Sequence, residues 1–316
     1  MTAKYAYYPG CSLHSTGSEY DISFRAVCEK LGIQIDEIKG WICCGTSPAH
    51  CTSRLLSLAL PLENLRLAEK MGTRDVVAPC AACFARLKTA QHEAAEDHRI
   101  AEQIREVLGG PLPASVNVVS PLEIFNGGTN VAEAVTRQLP GLKVVCYYGC
   151  LLTRPSKVMQ FDECEYPMAM DNVLRSVGIT TLDWSYKTDC CGGALAMTRT
   201  DVVLKLTHDI LEEAVAVGAN AIAVACPLCH VNLDTRQAEV EREYGAHYGL
   251  PVFYFTQLMG LAFGIPPEKL GLQKHFVSAD ALLSQGDSVG ATPCGCPSTG
   301  RPHGAAPTSA ALTSDF

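Results

Sequence analysis

Short runs rich in β-branched and aromatic residues alternate along the chain with longer stretches whose apolar positions recur at helical spacing. Lys4–Tyr8 and Val144–Tyr148 are runs of the first kind, stopped by glycine soon after, and they predict strands. Ile22–Leu31 and Met168–Val177 carry the helical spacing and end at Gly32 and Gly178, which fit C-caps. Second strands are expected at Ile33–Ile38 and Ile179–Trp184. Thr200–Val217 predicts an amphipathic helix with Val203, Leu206, Ile210, Leu211, Ala214 and Val217 on one side. Its counterpart Leu55–Met71 contains Pro61, where a kink or split is expected. Third strands at Asp75–Ala78 and Ala221–Ala225 are almost continuously apolar, as buried parallel strands are. Each runs through a CxxC into a helix, Ala82–Ala95 or Leu228–Glu243.

The elements come in two matching sets because the chain repeats itself. Tyr7-Tyr8-Pro9-Gly10-Cys11 returns as Tyr147-Tyr148-Gly149-Cys150, and Cys43-Cys44-Gly45 as Cys190-Cys191-Gly192. Gly72 followed by Cys80-Ala81-Ala82-Cys83 returns as Gly218 followed by Cys226-Pro227-Leu228-Cys229. Landmarks in the same order twice mark a duplication. Strands alternating with helices imply an α/β fold with a parallel sheet in each half, residues 1–140 and 141–275. The repeated cysteines then fall where strands end, and carboxyl ends of parallel strands are where such sheets build sites.

Composition narrows the chemistry. The 316 residues are 47% hydrophobic and 18% charged, which suits two folded units and excludes a wholly disordered chain. Net charge is −8 without a Lys/Arg cluster, which argues against nucleic acid as a partner. No apolar run is long enough to span a membrane, and Met1–Tyr8 lacks a secretory core, so a cytoplasmic location is expected. Sixteen cysteines in a reducing compartment point to metal binding rather than disulfides.

Each half offers one cysteine, an adjacent pair and a CxxC, with gaps of 31 and 35 residues in the first half and 39 and 34 in the second. A zinc site is the bland reading, yet tetrahedral zinc closes on four ligands and five are present. Adjacent cysteines also project in different directions, which suits two metal atoms better than one. The CxxC thiols are placed at a helix N-terminus, whose dipole favours the thiolate.

With its doubled pattern of ten cysteines, the chain from Met1 to about Pro267 resembles the paired cysteine-rich CCG domains of the heterodisulfide reductase B family. That resemblance implies two pseudo-symmetric CCG domains, each a small, mostly parallel, Rossmann-like sheet flanked by helices. It implies two noncubane [4Fe–4S] clusters, the first on Cys11, Cys43, Cys44, Cys80 and Cys83, the second on Cys150, Cys190, Cys191, Cys226 and Cys229. The implied activity is reductive cleavage of a disulfide between two small thiols, coenzyme M and coenzyme B in methanogens. No C-x2-C-x2-C-x3-C-P run brings a cubane relay. By resemblance, that task falls to a separate ferredoxin-like partner, the C component of such a complex, which connects to a flavin-containing A component. No glycine-rich phosphate motif in a suitable context suggests a flavin or nicotinamide bound by this chain itself. The alternative is a CCG electron-transfer subunit of another oxidoreductase complex, as in lactate, glycolate or succinate oxidation.

Other residues draw plainer expectations. Cys28 and Cys146 read as buried, inert thiols, while Cys51 and Cys164 lie close enough in sequence to approach a cluster. His14, His50 and His230 follow site cysteines, and His14 or His50 is a candidate proton donor. Gly45, Gly192 and Gly193 are expected to let the backbone pass close to a cluster. Arg154 and Lys187 read as solvated charges, or as guides for an anionic substrate. The stretch 276–316 reads as a low-complexity tail: of the 40 residues from Val277 on, 26 are Ala, Gly, Pro, Ser or Thr, too few apolar side chains to build a core. It carries a C-x-C at Cys294 and Cys296, short of the ligands a third metal site needs.

Overall fold

The computed structural model describes residues 3–126 and 130–287. In the first half β1 (Lys4–Tyr7) leads through α1 (Gly10–Leu13) and α2 (Ser18–Lys30) to β2 (Gln34–Glu37). Then come α3 (Thr46–Thr52), α4 (Arg54–Lys70), β3 (Asp75–Val77), α5 (Ala81–Glu96), α6 (His98–Leu108), β4 (Asn117–Val119) and α7 (Pro121–Asn126). The second half runs β5 (Lys143–Tyr147), α8 (Ser156–Met159), α9 (Ala169–Ser176), β6 (Thr180–Leu182), α10 (Thr200–Ala216) and β7 (Ala221–Val224). It continues through α11 (Pro227–Thr235), α12 (Gln237–Tyr244), β8 (Val252–Tyr254) and α13 (Phe255–Ala262) to α14 (Asp280–Asp287).

Both halves form a four-stranded, wholly parallel sheet, in the orders β2-β1-β3-β4 and β6-β5-β7-β8. The inner strand β7 is buried along its whole length, which is why its sequence is apolar without alternation. β4 and β8 are additions to the three strands per half expected above. Each is only three residues long, too short for alternation to register, and each owes its place to pairing with β3 or β7.

α4 passes through Pro61 as a single helix, so of the expected kink or split the split does not occur. Leu58, Leu62 and Leu65 are buried along it, and packing against α5 and α6 holds the turns on both sides of the proline. The helix expected over Leu228–Glu243 is instead two, α11 and α12, meeting at Arg236. There the buried Gln237 amide donates to the Leu233 and Leu250 carbonyls at 2.8 and 2.7 Å. The stretch expected to be a low-complexity tail is partly built into the fold. Asp234 accepts the backbone N–H of Phe276 and Val277 at 2.8 and 3.1 Å, Ala279 is buried, and α14 follows.

The halves lock together by exchanging helices. The helix after each fourth strand crosses over: α7 packs on α9, and α13 packs on α2. At the second contact Ser23 Oγ and Thr256 Oγ1 share a hydrogen bond of 2.7 Å, both side chains fully buried. One continuous hydrophobic core results, with the carboxyl ends of both sheets turned toward a common seam.

Candidate metal centres

Each cysteine-bearing segment leaves the carboxyl end of a strand. Cys11 and Cys150 follow β1 and β5, and the adjacent pairs follow β2 and β6. Cys80 and Cys226 occupy the N-cap positions of α5 and α11 after β3 and β7. The structure brings all five of each half together. Cys43 Sγ lies 3.9 Å from Cys11 Sγ, and Cys44 Sγ 3.5 Å from Cys83 Sγ. The second half repeats this, with Cys150 to Cys190 at 3.7 Å and Cys191 to Cys229 at 3.5 Å. Cys80 lies beside Cys83, Cys226 beside Cys229, and Cys80 and Cys226 also meet each other.

Each quintet has a buried floor, Cys44, Cys80 and Cys83 or Cys191, Cys226 and Cys229, and a more open rim. Crowding divides the protons unevenly. Hydrogen bonds from Cys43 and then Cys83 pull the Cys44 thiol down to about 3. A hydrogen bond from Cys150 brings Cys190 down to about 6 against its burial. Each half therefore already favours a thiolate, the form a metal takes.

Glycines outside the expected set shape the floor. A Cβ on Gly10 would lie 2.7 Å from Cys83 Sγ, and one on Gly149 would lie 3.0 Å from Cys229 Sγ. Both residues have φ of +68°, so they are required by space and by backbone conformation together. At Gly45 and Gly192 the backbone does run beside site sulfur, as expected, though another contact excludes a side chain there. Their N–H groups donate to Cys43 and Cys190 Sγ at 3.4 and 3.3 Å, but an added Cβ would strike Ala49 or Val203, not sulfur. Gly193 does lie near a thiol, its Cβ position 3.6 Å from Cys191 Sγ.

Among the described residues, no three His, Cys, Asp or Glu side chains are arranged to hold a single metal ion. Five thiols strung in contacting pairs, with a glycine cleared beside each floor, fit a body of several metal atoms better than one four-ligand ion. A cavity of about 150 Å³ opens on the second quintet. Its walls include Leu151, Ala194 and Leu228, with Thr46, Ala81 and Arg86 contributed by the first half. Arg86 makes no hydrogen bond or ion pair with another described residue.

The remaining expectations divide. Cys28 and Cys146 are buried, and burial pushes Cys28 up to about 12, so both are unreactive. Cys51 sits exposed on α3, and Cys164 contacts Glu163 and Glu165 rather than a site thiol. His14 pairs with Glu37 at 3.4 Å and packs edge-on against Trp41, while His50 lines a separate cleft with Arg54 and Arg86. His230 is buried, held neutral at about 3 by burial, and fixed by a 3.0 Å contact from Nε2 to the Val252 carbonyl. Arg154 donates to Thr188 and Glu165. Lys187 is no solvated charge: it is fully buried, with Nζ 2.8 Å from the equally buried Asp171. Cys294 and Cys296 lie outside the described residues.

Sequence reasoning missed Arg86, Asp171, Tyr20 and Tyr254. Arg86 carried a faint signal, standing three residues after Cys83 on the helix the CxxC opens.

Two parallel sheets, each presenting five thiols at its strand ends, define a duplicated cysteine-rich α/β protein. The cysteine-rich domain CCG matches residues 5–88 and 144–234, and the chain belongs to that family. It is 31% identical over 288 residues to the membrane anchor subunit of the 8-methylmenaquinol:fumarate reductase of Wolinella succinogenes, covering 89% of this chain and 100% of that one. It is 28% identical over 295 residues to the B component of the ferredoxin/F(420)H(2)-dependent CoB-CoM heterodisulfide reductase of Methanosarcina acetivorans, covering 90% and 97%. A hypothetical protein from Helicobacter pylori shares the fold at a TM-score of 0.70 and 13% identity, covering 87% of this chain and 52% of that one. Among the described residues no helix is long and apolar enough to cross a membrane.

Proposed function

We propose that this chain is the disulfide-reducing subunit of a larger oxidoreductase complex and carries two noncubane [4Fe–4S] clusters. Cys11, Cys43, Cys44, Cys80 and Cys83 would hold one, and Cys150, Cys190, Cys191, Cys226 and Cys229 the other. Bound there, the clusters would supply single electrons, two of which a disulfide needs to become two thiolates. The partners in this reading are one ferredoxin-like and one flavin-containing protein, as for the heterodisulfide reductase B family.

The observation that carries the reading is Arg86, a cation with no ion-pair partner among the described residues, standing on the wall of the cavity lined by all five thiols of the second quintet, where the cluster itself would sit. The rest of that lining is largely apolar, and its one free cation, among the described residues, is Arg86. A guanidinium so placed would orient the acidic end of a disulfide through a charge-assisted hydrogen bond.

A second reading is favoured by the fumarate reductase relative, which this chain covers over its whole length. In that reading the same ten thiols hold electron-transfer clusters and the cavity takes no substrate. Anaerobic purification with iron and acid-labile sulfide assays tests the part common to both. Paramagnetic spectra recorded with and without acidic disulfides then separate them. A signal that depends on added thiol or disulfide supports reduction at this chain, and spectra unchanged by every such compound support the relay.

A further inference from the structure

Tyr20 on α2 and Tyr254 at the end of β8 come from opposite halves and are both fully buried. Their rings stack with centroids 4.4 Å apart and planes 12° from parallel. His230 also stacks on Tyr254, at 4.4 Å and 11°. The Val252 carbonyl contact fixes the imidazole, so the column is rigid from one end. Neither phenol hydroxyl has a hydrogen-bond partner among the described residues. A buried unpaired hydroxyl is unfavourable, and two of them stacked together ask for a common acceptor.

The charged neighbours that both phenols share are cysteines. Burial, then the charges of Cys80 and Cys226, raises the Tyr20 phenol far above its ordinary range. Tyr254 feels burial first, then Glu19, Cys226, Tyr20 and Cys80. Its hydroxyl lies 3.1 Å from where a Cβ on Gly17 would sit, and that point is 3.0 Å from Pro227, the residue after Cys226. The Tyr254 hydroxyl therefore borders the seam where the first thiols of the two CxxC motifs meet, and the Tyr20 ring is stacked beside it.

We propose that Tyr20 and Tyr254 donate hydrogen bonds to the sulfur that the cofactors would bring to the seam between the two quintets, so that one aromatic column sets the reduction potential of both. This rests on the iron–sulfur reading, though not on the identity of the substrate. A hydrogen bond to sulfur stabilises the more negative, reduced form and raises the potential. Placing both donors at the seam the quintets share would keep the two centres matched.

The test uses the iron-loaded full chain and its Tyr20→Phe, Tyr254→Phe and doubly substituted forms. Phenylalanine keeps the stack and removes only the hydroxyl, so the unloaded variants should melt no lower than the parent. Midpoints are read from paramagnetic signals during reductive titration. The double variant should shift downward by roughly tenfold in the one-electron equilibrium, about 59 mV, with each single variant between. Tyr7→Phe, whose hydroxyl donates to Asp21 at 2.5 Å, should leave the midpoints in place. Loss of loading in the double variant, with unloaded melting retained, would also support donation to cofactor sulfur. Midpoints unchanged in the double variant overturn the proposal. Failure of the parent to take up iron and sulfide overturns the iron–sulfur reading itself.

Discussion

Cys80 and Cys226 meet side chain to side chain across the boundary between the two halves, each standing at the N-cap of its helix. The positive ends of α5 and α11 therefore converge on one spot. Anionic sulfur is stabilised there by two helix dipoles. Cys11, by contrast, is an exposed rim thiol whose sulfur contact is Cys43. Cys80→Ser should thus disturb both centres and Cys11→Ser only the first. Iron and sulfide per chain, together with the spectrum of what remains, will show it. Equal losses in the two variants would contradict a shared seam.

Gly10 and Gly149 predict a graded defect. Alanine at either position meets left-handed strain of about 1–2 kcal/mol. It also displaces the sulfur of Cys83 or Cys229, more severely at Gly10, where the gap is 2.7 Å rather than 3.0 Å. Gly32 has φ of +67° with nothing within 4 Å, so Gly32→Ala isolates the backbone strain. All three variants should lose thermal stability, but only Gly10→Ala and Gly149→Ala should also lose iron. Full iron content in Gly10→Ala would show that the floor is not shaped by that contact.

Arg86 breaks the two-fold repeat. The duplication places Asn232 at the corresponding position, where its amide donates to the Cys191 carbonyl at 2.9 Å and serves the fold. Only one side of the seam therefore offers a free guanidinium among the described residues. If the chain reduces an acidic disulfide, Arg86→Gln should raise KM about 10- to 100-fold with little change in kcat, the worth of one hydrogen bond to a charged group. Lengthening the disulfide's neutral arm should not alter that ratio. An unchanged KM would remove Arg86 from substrate binding.

The duplicated sheet and the ten thiols were legible because both leave repeated marks. Glycine-stopped apolar runs mark the inner strands, and CC and CxxC mark the places where strands end. β4 and β8 left none, since three residues carry no readable period and their pairing partners lie far away in sequence. The Tyr20–Tyr254 column was hidden for the same reason. It joins residues from the two ends of the chain, and one of them closes a strand that the sequence pattern does not show. Lys187 was misread because a charged residue beside a cysteine loop looks solvated until Asp171 is found opposite it.

His275 gives the stability a definite pH dependence. Burial lowers its pKa from 6.5 to about 4, and the Gln257 amide donates to its Nε2 at 2.9 Å, so the ring is neutral in the folded chain. Below pH 6.5 the unfolded chain binds a proton there that the folded chain refuses. Stability is therefore lost as pH falls, until the folded ring titrates near 4. At about pH 5 the loss from this ring is at most about 2 kcal/mol. Denaturant midpoints of the metal-free chain between about pH 7.5 and about pH 5 should fall less steeply in His275→Gln than in the parent. Parallel slopes would show that the ring is protonated as readily in the fold as outside it.

The buried pair of Lys187 and Asp171 links fold stability to the second quintet. Asp171 accepts from Lys187 Nζ and from the Tyr148 hydroxyl, each at 2.8 Å. The Lys187 carbonyl accepts the N–H groups of Tyr148 and Gly149 at 2.8 and 3.1 Å. One residue thus ties down the turn that delivers Cys150 and neutralises the carboxylate beneath it. Lys187→Met leaves that carboxylate charged and dry, at a cost of about 3–5 kcal/mol. Adding Asp171→Asn removes the charge while keeping an acceptor for Tyr148, so the double variant should recover most of the loss. Denaturant unfolding of the four forms measures the coupling. Additive losses would mean that the two side chains do not depend on each other. In the iron-loaded chain the single variant should weaken the second centre and spare the first, because Pro9 stands at the position of Tyr148 in the first half, where Tyr8 corresponds to Tyr147: their hydroxyls donate to the Ile42 and Asp189 carbonyls, each just before its cysteine pair.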